Sequence, residues 1–467
     1  MSADDLAYSS ISEIAPRIWA REIACEDLTR ACLERVNRLE PRINAFITRL
    51  DEQALETARA LDRELSDGHY RGVLHGIPIV HKDLYYTQGV RTTAGSKILG
   101  DFVPDEDAFA VAKLRQAGTV LLGKVSMEEF ALGGSNENLH YGAVHNPWNV
   151  ECVPGGSSGG SAAALATGFC LAATGSDTAA SIRHPASFCG VAGIKPTYGR
   201  VSLNGIVPLT YSVDCPGPLA RSVRDLALLL QAMAGYDWRD AASEDRPVPD
   251  FTAELDAGVR GLRIGVPGTY FNEQVQADVW NAYQAALDVL RALGAELVEV
   301  RFETLGPNPR RGSSESALFH EQWLKDRPDD YDPRIRAGFQ RGLDVTGLEM
   351  AASMRWRERL TVEMRRIFQQ CDVLATPTVP VTASRIGQDE VDMNGESVPR
   401  AGHWVRFTQP FNAAHLPASS QPCGFDRDGM PIGLQLSAPW WQEARILRVA
   451  AAYEGATDWH RRRAPLD

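Results

Sequence analysis

Residues 26–65 place apolar side chains at helical spacing, with Leu28, Ala31, Val36 and Leu39 on one stripe. That period predicts two amphipathic helices with a break starting at Pro41, and residues 1–65 read as a helical N-terminal segment. The pattern then changes. Leu74–His81 (LHGIPIVH) is a short, nearly continuous apolar run, which predicts a strand buried on both faces, carrying Lys82 and Asp83 at its C-terminal end. Asp107–Ala117 returns to the helical period, Gly118 stops it, and Thr119–Leu122 (TVLL) is apolar again. Strand, helix and strand in that order predict a parallel or mixed sheet.

The same reading places strands at 169–174, 262–266, 296–300, 373–376 and 432–436, and helices near 275–293, 346–370 and 443–455. Three polar, proline-bearing stretches, 237–249, 305–316 and 386–399, read as surface loops around one sheet, not as linkers. The expected fold is α/β, a single domain over 1–467. Its parts are the N-terminal helices (1–65), a core (70–220) and the remaining sheet, pocket loops and C-terminal helices (221–467).

Composition narrows the function. With 44% hydrophobic and 23% charged residues in a chain of 467, a sizeable core is available. The formal net charge of −12 repels a polyanion on average, so nucleic acid is excluded as a partner. No segment reaches the length of an apolar membrane span, and MSADDLAYSSIS lacks a secretory signal, so a cytoplasmic protein without a membrane partner is expected. The eight cysteines show no CxxC pair and no zinc spacing; they read as reduced core thiols, and neither metal nor cofactor is called for. Of 48 basic residues only six are lysines, so each lysine asks for a reason.

One stretch carries the candidate chemistry. In Val153–Gly168 (VPGGSSGGSAAALATG), seven Gly and Ser residues run directly into a small-residue helix. A flexible linker does not continue into a buried helix. A phosphate-binding P-loop needs lysine where Ser161 stands. Close packing of backbones remains open on the stretch alone. It has company, however: GIPIVHKD at Gly76–Asp83, and GSDTAASIRHPASFCGVAGIKPTYGR at Gly175–Arg200.

Together with TTAGS (Thr92–Ser96), NPW (Asn146–Trp148), DVLATPT (Asp372–Thr378) and PIGLQL (Pro431–Leu436), these segments resemble the amidase signature family. The resemblance implies a three-layer αβα fold around a large central mixed sheet, and amide hydrolysis by a serine, serine and lysine. Carried onto this sequence, the lysine is Lys82, the bridging serine Ser157, after a cis peptide at Gly156–Ser157, and the nucleophile Ser181. The oxyanion would be held by backbone N–H groups of Thr178, Ala179, Ala180 and Ser181.

Lys82 can act as a base only when neutral, which asks for a downward shift of about 3 units from the usual ~10.4. The apolar IPIV before it and Leu84-Tyr85-Tyr86 after it suit that shift, while Asp83 should point to the opposite face. His81, His145 and His184 lie near the motifs but on no catalytic position, and read as structural or pocket-lining. Asp177 and Arg183 bracket the nucleophile loop and are expected to brace it. The chain departs from the family at Ala179-Ala180, where Gly-Gly is usual; a position needing φ > 0 would cost about 1–2 kcal/mol, and two methyl groups would narrow the acyl pocket.

Met127, Arg357 and Arg406 are the candidate substrate contacts. Arg357 falls where the resemblance puts an arginine for a substrate carboxylate in glutamine-hydrolysing amidotransferase subunits, while the acidic residue for the amino group falls on Val405. The expectation is therefore a small-molecule amide as partner and a stand-alone amidase releasing ammonia or an amine. The alternatives are a glutaminase-type amidotransferase subunit, or a non-catalytic, partner-dependent member disabled by Ala179-Ala180. A homo-oligomer is compatible with all three.

Overall fold

The computed structural model describes residues 2–303, 305–306, 308 and 313–466. Eleven strands form one sheet, numbered here in chain order: β1 Phe46–Arg49, β2 Pro78–Lys82, β3 Val120–Val125, β4 Ala172–Asp177, β5 Ala192–Lys195, β6 Cys215–Ala220, β7 Arg263–Pro267, β8 Glu296–Val300, β9 Val373–Pro377, β10 Ala418–Phe425 and β11 Pro431–Ser437. Their order across the sheet is β1-β3-β2-β4-β6-β5-β10-β11-β9-β7-β8. The pairs β3-β2, β2-β4, β9-β7 and β7-β8 are parallel and the others antiparallel. This is the large mixed sheet that the sequence predicts.

Helices cover the central strands, so even their polar residues are buried. Pro78–Lys82, Ala172–Asp177 and Val373–Pro377 are buried at every position. Helix Gly159–Ala166 is likewise buried at all eight residues, so its alanines and glycines let it lie against the sheet at short range. A Cβ on Gly160 would come within 2.4 Å of the Ser126 carbonyl oxygen, which only glycine avoids. No helix among the described residues is long and apolar enough to cross a membrane.

The structure differs from the sequence reading at strands β1, β5, β6 and β10, which that reading does not place, and in three further places. Helix Cys25–Ile43 runs through Pro41 and ends at Asn44, which adopts the left-handed conformation; a proline this close to the C-terminus costs little, since few hydrogen bonds remain to lose. The stretch 386–399 contains an antiparallel two-stranded ribbon, Glu390–Met393 with Glu396–Pro399. In 305–316 a helix starts at Ser314, while 307 and 309–312 lie outside the described residues. The stretch 237–249 is free of helix and strand, and all eight cysteines are buried and unbridged.

Candidate active site

Strand alternation decides which side chains meet. Lys82 is the last residue of β2 and points to the face occupied by the Gly/Ser segment, whereas Asp83 turns to the other face, where Lys124 Nζ lies 3.4 Å from it. Lys82 Nζ donates to Ser157 Oγ at 2.7 Å and to Ser176 Oγ, on the adjacent strand β4, at 2.9 Å. Lys82 and Ser157 are fully buried, and Ser181 is 7% exposed. Among the described residues no carboxylate lies within ion-pair distance of Lys82. Burial pulls its pKa down to about 7, against the opposing fields of Asp177, Asp214 and Glu128.

The Gly/Ser segment is held on both sides. The peptide Gly156–Ser157 is cis. Glu128 N–H donates to the Ser157 carbonyl at 3.2 Å, Gly159 N–H to Asn136 Oδ1 at 3.0 Å, and Ser158 N–H to the Ser181 carbonyl at 3.2 Å. The last bond ties the two serine-bearing segments together. A Cβ on Gly155 would come within 2.9 Å of Pro185 Cα, and Gly155 has φ +77°, so this position has two separate reasons to be glycine.

The loop carrying Ser181 is braced from beneath. Arg183 donates from Nε and Nη2 to the two oxygens of Asp177 at 3.0 and 2.9 Å, and from Nη1 to Gln435 Oε1 at 2.7 Å. Asp177 also accepts from Ile182 N–H and Asn412 Nδ2. Burial alone would raise the Asp177 pKa, yet Arg183 and Asn412 hold it at about 2, so the carboxylate stays charged. Thr178 Oγ1 donates to Asp214 at 2.6 Å and fixes the other end of the loop. None of Thr178, Ala179, Ala180 and Ser181 has positive φ. The alanine pair therefore carries no left-handed backbone penalty, and what remains of the substitution is two methyl groups.

Thr178, Ala179, Ala180 and Ser181 line a cavity of about 620 Å³ with Gly156, His184, Arg357, Trp404 and Val405. The rest of its lining includes Asn308, Ser313, Glu315 and Ser316, with residues from 350–357 and 401–413. Arg357 thus shares the cavity with Ser181. Met127 and Arg406 do not: Met127 is wholly buried, with its carbonyl accepting from Asn138 Nδ2, and Arg406 is bound to the carbonyls of Tyr270 and Glu273. Neither contributes to the lining. His184 is buried edge-on against Phe188 with ring centroids 4.3 Å apart, and burial lowers its pKa to about 3. Ser176 escapes the sequence reading; its period-two relation to Thr174 and Lys82's place on the neighbouring strand are the signals that could have found it.

Known proteins give the setting for this arrangement. The family model for Amidase matches residues 27–447, and the chain belongs to the amidase family. It is 42% identical over 481 residues to the Glutamyl-tRNA(Gln) amidotransferase A subunit of Pseudomonas entomophila (strain L48), covering 97% of this chain and 98% of that protein. The solved structure of 6-aminohexanoate cyclic dimer hydrolase superposes with TM-score 0.89 at 31% identity, covering 98% and 99% of the two chains. That of the Glutamyl-tRNA(Gln) amidotransferase A subunit from Thermotoga maritima superposes with TM-score 0.79 at 32% identity, covering 96% and 95%.

Proposed function

We propose that the protein hydrolyses a carboxamide C–N bond with Ser181 as nucleophile, Ser157 as proton relay and Lys82 as base. The observation that carries this is the 2.7 Å contact of Lys82 Nζ with Ser157 Oγ in full burial, with no carboxylate among the described residues close enough to keep the amine charged. A lysine poised near pH 7 accepts a proton from Ser157, which takes one from Ser181 as its Oγ attacks the amide carbon. Backbone N–H groups of 178–181 receive the oxyanion. The proton returns through Ser157 to the departing nitrogen, leaving an acyl-Ser181 that water hydrolyses.

Of the two settings for this chemistry, the full-length similarity to an amidotransferase A subunit favours a glutaminase-type role with partner subunits over a stand-alone amidase. Arg357 in the cavity wall supports an amide that carries a carboxylate. Against the non-catalytic reading, the loop's alanines sit on ordinary backbone, which leaves only their two methyl groups to argue for it. The deciding experiment measures ammonia release from glutamine and from amides of graded acyl size, beside Ser181→Ala. Release that depends on Ser181 is expected, with glutamine turnover pointing to the amidotransferase setting; equal release by Ser181→Ala would refute the assignment.

A further inference from the structure

His415 has φ +60°, a backbone conformation that costs a side-chain-bearing residue about 1–2 kcal/mol and that glycine adopts freely. A bulky residue persists at such a position when its side chain is used. Its imidazole stacks on Tyr198, centroids 4.3 Å apart, and Nε2 lies 2.5 Å from Arg357 Nη2 and 2.9 Å from the Ser212 carbonyl oxygen. Burial first, and then the Arg357 charge, lower the imidazole pKa to about 4, so the ring is neutral; with its proton on Nδ1, Nε2 accepts from the guanidinium, and the Ser212 carbonyl beside it receives no proton from that nitrogen.

The position of Arg357 gives that contact a purpose. Arg357 and Ala413 line both the Ser181 cavity and a second, outer cleft of about 540 Å³, while His415 lines only the outer one. The guanidinium is therefore a partition between two spaces, held through Nε by the Ala413 carbonyl at 3.2 Å and through Nη2 by His415. We infer that His415 is a positioning residue that backs Arg357 towards the Ser181 cavity, and so sets the preference for amides carrying a carboxylate over neutral ones. This rests on the Ser181 reading above. Without the imidazole, the arginine loses that hold and can turn into the outer cleft, where Glu358 supplies a competing carboxylate.

The test uses protection of Ser181 from a fluorophosphonate, read by intact mass and peptide mapping. Glutaramate, which carries a carboxylate, is compared as protectant with pentanamide, a neutral amide of the same length. In the wild type glutaramate should protect at lower concentration. In His415→Gly, whose backbone suits the position, the glutaramate-to-pentanamide preference should fall about ten-fold, the worth of one charge-assisted hydrogen bond. In His415→Asn, which tolerates positive φ and restores an acceptor, it should recover. An unchanged preference in His415→Gly, or no preference in the wild type, overturns the inference. No labelling of Ser181 at all would instead refute the catalytic reading beneath it.

Discussion

Lys82 and Lys124 stand on neighbouring parallel strands, both fully buried, yet they are kept in opposite ways. In the ladder Lys82 is opposite Val125 and Lys124 opposite His81, so the two amines leave the sheet on different faces. Lys124 donates to the Tyr85 carbonyl at 2.7 Å and Thr92 Oγ1 at 2.6 Å, and faces Asp83 at 3.4 Å. Lys82 meets two serine hydroxyls and, among the described residues, no carboxylate. Burial lowers both pKa values, but of the two only Lys124 has a counter-charge at contact distance to keep its proton. The difference is one of partners: both amines are buried, but Lys124 has a carboxylate beside it and Lys82, among the described residues, has none, which is the setting the proposed base requires.

The comparison breaks most visibly by exchanging each lysine for methionine, which keeps the volume. Lys82→Met should lower kcat/KM by about 10²- to 10⁴-fold, the range for losing a general base, with little change in melting temperature. Lys124→Met should do the reverse: Asp83 is left buried without its cation, so stability should fall by about 3–5 kcal/mol in urea unfolding while folded protein still turns over. A folded but inactive Lys124→Met would erase the distinction.

The pH dependence sharpens it. In the mechanism proposed above Lys82 works as the neutral amine, so kcat/KM should rise with pH through an apparent value near 7 and level off above it, and ammonia-release assays across pH 5–9 would show the limb. The same group binds fewer protons folded than unfolded between about 7 and the usual ~10.4, so its contribution makes stability rise with pH across that window. Lys82→Met should lose that rise. A smaller effect belongs to Ser176→Ala, which removes one of the two hydroxyls around Lys82; kcat/KM should fall by about ten-fold or less, as for one hydrogen bond. The smallest is Ala179→Gly with Ala180→Gly, which should raise turnover of branched acyl amides a few-fold over acetamide by returning the volume of two methyl groups.

The motifs of the candidate site were largely legible in the sequence, while several strands and the wall of the cavity were not. Strands read at 373–376 and 432–436 announce themselves as apolar runs, and the structure extends each by a residue or two, to 373–377 and 431–437. Strand β6, CPGPLA, hides behind Pro216 and Pro218, which argue against a central strand. It is tolerated because its ladder to β5 involves only Leu219 and Ala220, beyond both prolines. Strand β10 is hidden by buried Ser419, Ser420 and Gln421, which carry no apolar signal. At the site, Lys82, Ser157 and Ser181 were readable because each sits in a motif of fixed local spacing. Arg357 and Arg406 looked alike along the chain, and only the fold sends one to the cavity and the other to the turn at 270–274. His415 could not be found, because a left-handed backbone angle at a histidine leaves no trace in composition or period.

The order of strands also constrains how the molecule comes together in time. Strands β1–β6, from residues 46–220, make one flank of the sheet, and β7–β9, from 263–377, make the other; the hairpin β10-β11, at 418–437, lies between them. During synthesis both flanks emerge before the piece that joins them, each with an unpaired inner edge open to mispairing. Lys82, Ser157 and Ser181 all belong to the first flank, whereas Asn308, residues from 313–357 and residues from 401–413 supply much of the rest of the cavity lining. The proposed nucleophile is thus made long before the rest of the cavity that encloses it, and closure of the sheet by its latest hairpin is a non-local, slow step. In ribosome-release experiments, chains stopped before residue 418 should remain protease-sensitive at both flanks, and protection should arrive together once the hairpin is available.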